Sequence, residues 1–129
     1  MQKDFDEWNK VKKIINSRNN TTGAHPREIW WAALGVNVGS EQDGHGERSE
    51  RPVLIIKKVS PNVVYVLPLS TKEKSAVSQI AVRHEETKGF ALLDQMRALD
   101  KKRLLRKVGT IDTADFVAIQ ARLIAFLQS

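Results

Sequence analysis

Two apolar runs constrain this chain before anything else does. Ile29-Trp30-Trp31-Ala32-Ala33-Leu34-Gly35-Val36 and Val53-Leu54-Ile55-Ile56 flank the stretch from Gly39 to Pro52, which is polar and carries three glycines. Short runs of branched and aromatic residues bounded by glycine and proline read as strands joined by a connection. Here the connection is too long for a tight hairpin and too charged to be buried. Long loops held by rigid strands are where binding and chemistry concentrate. Arg51, where the loop enters the second run, is therefore the first residue to examine.

The same reasoning places the other elements. The first strand runs from about Glu28 to Leu34 and the second from Pro52 to Val59, with Pro52 suited to the first position of a strand. Ser60-Pro61-Asn62 turns the chain into Val63–Leu67, so strands two and three form a hairpin. Gln79–Arg83 alternates polar and apolar, as a strand with one wet face does. Phe90–Leu99 reads as a fifth strand. Asp100 caps a short helix through Lys107 that Gly109 ends, and a final helix covers about Thr113 to Leu127. Its apolar side is Phe116, Ile119, Leu123 and Leu127, joined by Val117 and Ile124. Asp4 to Ser17 has Phe5, Trp8, Val11 and Ile15 at helical spacing, followed by a polar linker from Asn16 to Gly23. The expected organisation is thus a helix and linker over 1–23 and a domain over 24–129. The fold class is α+β, mainly β: a small twisted antiparallel barrel or half-barrel with helices attached.

At 129 residues the chain can bury one hydrophobic core. It has no cysteine, which removes disulfides and thiolate chemistry. The N-terminus lacks the apolar segment of a signal peptide, and no apolar run is long enough to span a bilayer. A cytoplasmic protein with no membrane association is expected. The formal net charge of +6 favours a polyanionic or acidic partner. Six basic residues (Arg97, Lys101, Lys102, Arg103, Arg106 and Lys107) stand against the single acid Asp100 in that segment. There is no glycine-rich phosphate loop before a helix, no histidine pair at metal spacing and no nucleophile elbow. No metal or cofactor is expected. His25, His45 and His84 lie far apart in or near loops and read as surface residues, with His45 the best placed because it lies in the long loop.

What remains for chemistry is arginine, hydroxyls and carboxylates. If strands two and three pair symmetrically about Ser60-Pro61-Asn62, Arg51 lies nearly opposite Ser70, with Thr71 beside it. A guanidinium next to two hydroxyls makes a pocket for one phosphate. The bland alternative is that Arg51 pairs with Glu50 or Glu41 while the hydroxyls cap a turn. Asp94, an acid within an otherwise apolar run, either holds Arg51 or Arg97 or acts as a base.

These residues resemble a known family. Arg27-Glu28-Ile29-Trp30, Gly39-Ser40-Glu41-Gln42 and Arg51-Pro52-Val53-Leu54-Ile55-Ile56 are similar, in order, to the start of the MazF/PemK (Kid) toxins. Pro68-Leu69-Ser70-Thr71 resembles their strand-three signature. Leu93-Asp94-Gln95-Met96-Arg97-Ala98-Leu99-Asp100, with Arg103-Leu104 and Lys107-Val108-Gly109, resembles their C-terminal half. The resemblance covers about residues 27 to 127. It implies an SH3-like twisted antiparallel sheet with a C-terminal helix, to which this chain adds an N-terminal helix. It also implies a homodimeric, metal-independent endoribonuclease that cuts single-stranded RNA, commonly mRNA, through attack of the 2′-hydroxyl on the adjacent phosphate. A MazE-type antitoxin would block the RNA groove. By the same resemblance Arg51, Ser70, Thr71 and Asp94 are the catalytic candidates. Gln42, His45, Lys72, Gln95, Arg97, Lys101 and Arg103 are the RNA-binding candidates, and Trp30 or Trp31 either stacks on a base or packs inward.

Three departures from the family pattern stand out. Ser70 occupies the place of a commoner threonine, Leu92 that of an arginine found in some members, and Gly46–Glu50 is an insertion in the loop. A second expectation for such a chain is a non-catalytic module of the same fold, binding RNA or inhibiting gyrase as the related CcdB fold does.

Overall fold

The structure, a computed structural model, describes residues 23–35, 50–85 and 87–129. The expected N-terminal helix and most of the long loop, including Gln42 and His45, lie outside the described residues. The strands are β1 (Glu28–Ala33), β2 (Glu50–Ser60), β3 (Val63–Ser70), β4 (Gln79–His84), β5 (Thr87–Leu92), β6 (Arg97–Asp100) and β7 (Leu104–Thr110). One helix follows, α1 (Thr113–Gln128). All strand pairs are antiparallel, in the order β4-β5-β3-β2-β1-β7, with β6 also pairing β3. The chain is mainly β with a C-terminal helix, as its apolar runs require.

β2 and β3 form the expected hairpin, with Val53 opposite Pro68 and Leu54 opposite Leu67. Because β2 is central, its side chains alternate between two cores. Leu54 faces the core with Ile29, Leu67, Leu69, Val82 and Ala91, which α1 covers with Phe116, Ile119 and Leu123. Val53 and Ile55 face the other, built from Trp30, Ala32, Val64, Val66, Leu99 and Leu104. Both sides of β1 and β2 are thus buried, which explains their unbroken apolar runs. Pro52 is the third residue of β2, opposite Trp31, rather than its first.

Three further sequence expectations are corrected. Phe90–Leu99 is not one strand: a 3-10 turn at Leu93–Gln95 divides it into β5 and β6. Three residues along β3 (Leu69 to Val66) correspond to six along its partner (Ala91 to Arg97), and the turn takes up the excess. Nor is Asp100–Lys107 a helix. Asp100 does cap, accepting from the Lys102 N–H at 2.8 Å, but it caps a single 3-10 turn, Lys101–Arg103. The chain then enters β7, because the open edge of β1 needs a ladder partner and Leu104 has a core to fill. Tertiary pairing overrides local helix preference here. On α1, Val117, Ile124 and Leu127 are exposed rather than part of the packed face.

β1 and β7 are latched by a buried carboxylate. Glu28 Oε1 accepts from Trp30 Nε1 and from the His25 N–H, each at 2.9 Å, and Oε2 lies 3.2 Å from Lys107 Nζ. Burial alone would raise its pKa, but the donors from Trp30, His25 and Lys107 together outweigh burial and hold it below the usual carboxylate range. A carboxyl depressed in the folded state stabilises fully above its unfolded pKa, and that contribution is lost as pH falls through the folded value. Glu28→Gln is therefore expected to cost about 1–3 kcal/mol at neutral pH and to flatten the acid limb of a thermal-midpoint against pH profile. An unchanged acid limb would contradict this role.

Candidate functional site

The β2–β3 register, continued two residues from Val53–Pro68, sets Arg51 across from Ser70. Arg51 is only 3% exposed, and its Nη1 donates to the Leu69 carbonyl at 2.9 Å. Burial lowers the guanidinium's pKa from its ordinary value, yet arginine keeps its charge at any physiological pH. Of the two acids expected to pair with it, Glu50 instead meets Arg106 at 3.3 Å, and Glu41 lies outside the described residues. Ser70 is buried as well, and its Oγ accepts from the Lys72 N–H at 3.1 Å. That turn-capping bond uses one lone pair of a hydroxyl that is also a donor. A buried cation and a hydroxyl therefore occupy one strand end, and exposure begins at the next residues, Thr71 and Lys72.

The loop after Ser70 is held in place from inside. Gln79, expected on a wet face, is buried. Its Oε1 accepts from the N–H groups of Lys74 (2.7 Å) and Ser75 (3.3 Å), and its Nε2 donates to the Lys72 carbonyl at 3.2 Å. From α1, Arg122 Nη2 donates to the Ala76 carbonyl at 2.6 Å. Sequence reading missed both residues. The available signal was a glutamine at the start of an alternating strand directly after a polar connection.

The remaining candidates divide into two groups. Asp94 is exposed on the 3-10 turn rather than within a strand, with Gln95 beside it. Arg97 pairs with Val66, four residues along β3 from Ser70, which is about 13 Å of strand. Arg97 lies close enough to Arg103 to act on its charge, and burial first, then Arg97, pulls the Arg103 pKa down. Arg103 Nη1 donates to the Ala33 carbonyl at 3.4 Å. Arg106 lies 4.9 Å over the Trp31 ring, and Lys107 serves Glu28. The basic segment is thus partly structural: three of its cations hold β1. Trp30 is buried in the core, and half-buried Trp31 sits beneath Arg106. Among the described residues, no group of three or more His, Asp or Glu side chains converges, and no helix is long and apolar enough to cross a membrane.

With this geometry in place, comparison decides the family. Residues 25–127 match the model of the PemK-like, MazF-like toxins of type II toxin–antitoxin systems. The chain belongs to that family. No curated protein matches it by sequence. Solved structures share its fold at low identity. MazF from Deinococcus radiodurans is 18% identical, with a TM-score of 0.69 over 82% of this chain and 97% of that one. An endoribonuclease from a Mycobacterial species, in complex with its cognate antitoxin, is 17% identical, with a TM-score of 0.64 over 81% and 95%. Mycobacterium tuberculosis toxin MazF-mt6 is 17% identical, with a TM-score of 0.61 over 79% and 97%.

Leu92, one of the departures noted in the sequence, is an apolar side chain buried at the end of β5.

Proposed function

We propose that this toxin is a metal-independent endoribonuclease that cuts single-stranded RNA. In the reaction, the 2′-oxygen of one nucleotide forms a bond to the adjacent phosphorus while the bond from phosphorus to the 5′-oxygen breaks. The 2′-hydroxyl gives up its proton and the leaving 5′-oxygen gains one. The products are a 2′,3′-cyclic phosphate and a 5′-hydroxyl. Such a displacement inside the substrate needs no bound water or metal nucleophile, only alignment and stabilisation of the charge on phosphorus. The observation that carries this reading is the buried Arg51 guanidinium, hydrogen-bonded to Leu69 across from Ser70. In a site shielded from water its field on a phosphorane is far stronger than in solvent. Ser70 supplies a neutral donor and Thr71 a second hydroxyl at the open side. Asp94 is the carboxylate available to accept the 2′ proton.

The partner that silences this site is a MazE-type antitoxin, and the working form is a homodimer in the cytoplasm. Both assignments rest on family membership, and a neighbour solved with its cognate antitoxin supports the first. Residues 24–129 form the toxin domain, with residues 1–23 appended to it.

Purified protein incubated with single-stranded RNA in EDTA is expected to give fragments ending in 2′,3′-cyclic phosphate and 5′-hydroxyl. Cleavage that appears only on adding a divalent metal would overturn the mechanism. Tight RNA binding without product would favour a non-catalytic module.

A further inference from the structure

A helix on the surface of a domain turns an apolar stripe inward and charge outward, and α1 keeps only half of that rule. Its inward stripe is in place, with Phe116, Ile119 and Leu123 packed into the core. Between Thr113 and Gln128, however, the only charged residues are Asp115 and Arg122. At 3.6 residues per turn both fall on one flank, next to the inward stripe. The face directed away from the sheet carries Val117, Ala121 and Ile124, with Leu127 at its edge, and no charge. Val117, Ile124 and Leu127 are 55%, 54% and 61% exposed. A helix that is apolar on both sides is one that something covers.

The chain itself holds a matching segment. Phe5, Trp8, Val11 and Ile15 make one helical stripe within residues 4–17, which lie outside the described residues. As a helix that segment is about 21 Å long, against about 24 Å for α1. Set antiparallel, the two stripes meet in a single register: Phe5 on Leu127, Trp8 on Ile124, Val11 on Ala121 and Ile15 on Val117. Chain connectivity selects this direction. The Ile111 N–H, just ahead of α1, donates to the Arg27 carbonyl at 2.9 Å, and Arg27 Nε donates to the Ile111 carbonyl at 3.1 Å. The polar linker Asn16–Gly23 therefore ends near the first turn of α1, and it spans up to about 26 Å. A parallel arrangement would require it to reach the last turn, about 24 Å farther on. Charge agrees with the antiparallel choice. Lys12 and Lys13 come to the end of α1 that holds Asp112 and Asp115, while Asp4, Asp6 and Glu7 come to the end where no acid follows Asp115.

We infer that residues 4–17 form a helix that packs antiparallel on the outward face of α1 of the same chain. This inference stands apart from the RNA-cleaving reading. It gives the segment ahead of the family match, which begins at residue 25, the work of covering α1.

Because the chain has no cysteine, an engineered pair is the only one that can close a disulfide. In the full-length protein, Ile15→Cys with Val117→Cys forms one pair and Trp8→Cys with Ile124→Cys another. Ile15→Cys with Asn62→Cys is the tether control. Asn62 is exposed in the β2–β3 turn, more than about 15 Å along β2 beyond Ile55, whose carbonyl accepts from the Arg27 N–H. Each α1 pair is expected to close within the chain at least tenfold faster than the control, at a rate independent of protein concentration. Equal rates for the three pairs would overturn the inference. So would closure mainly between chains, which would assign this face to a second copy. Thermal midpoints give an independent readout. Trp8→Asp and Ile124→Asp are each expected to lower the midpoint by about 5 °C or more. The double variant should fall little below either one, because both break the same contact. On a face open to water Ile124→Asp costs nothing, and an unchanged midpoint for that variant would contradict the docking.

Discussion

Arg51→Ala is expected to lower RNA cleavage by at least two to three orders of magnitude, the loss typical when one preorganised charge donor leaves a reaction centre. The same change leaves the Leu69 carbonyl without its Nη1 donor inside the sheet. A stability cost of about 1–3 kcal/mol should accompany it. Arg51→Lys separates the two effects. It retains a positive charge but loses the planar fork that reaches a carbonyl and a phosphate at once. Its activity should fall between Ala and the unmodified chain. Single-turnover rates, measured well below each variant's thermal midpoint, make this comparison. Full activity in folded Arg51→Ala would remove the arginine from the mechanism.

The second large effect lies at Gly89. This residue pairs with Val82, and a Cβ built on it would stand 2.7 Å from the Ser70 carbonyl oxygen. The obstacle is backbone rather than a side chain, so β3 or β5 must move apart. Such overpacking costs about 1–3 kcal/mol. The displaced residue is Ser70 itself, and Phe90 follows directly in the chain. Gly89→Ala is thus expected to lower both thermal midpoint and cleavage, with the cleavage loss exceeding what the fraction unfolded explains. Gly109→Ala provides the contrast. There the added carbon meets the imidazole of His84, a side chain able to swing aside, far from Ser70 in the strand order. It should cost less stability and leave the cleavage rate per folded molecule unchanged. Equal rates per folded molecule for the two variants would contradict the placement of Ser70 at the site.

How much of this is legible in the sequence follows from which interactions are local. The β2–β3 hairpin can be read because one short turn, Ser60-Pro61-Asn62, joins two apolar runs. Counting outward from that turn brings Arg51 within two residues of Ser70, and two register shifts in the ladder, between Ile55 and Lys57 and between Lys58 and Ser60, set them opposite each other. The division of Phe90–Leu99 cannot be read, because it comes from β3 taking two successive partners in different registers. β7 is hidden for a similar reason. Asp100 and Gly109 carry helix start and stop signals, but β1 needs an edge partner, and only the assembled sheet supplies that demand. Glu28 does offer a signal: an acid directly before Ile29-Trp30-Trp31 either ends a strand or is buried with donors. The basic segment misleads in the opposite direction. A charge cluster read along the chain says nothing about which cations are already engaged, and Arg103, Arg106 and Lys107 are tied to β1.

The central claim is that this protein lines up an RNA 2′-hydroxyl with a phosphate held by Arg51 and Ser70. The most direct measurement replaces that one 2′-hydroxyl with hydrogen at a mapped cut site and repeats the EDTA assay. The account predicts that the substituted strand binds competitively with the parent RNA and is not cut at that position, while cuts at unsubstituted sites continue. Cleavage of the substituted strand at the parent rate would mean that the nucleophile is not the 2′-oxygen, and would contradict the mechanism.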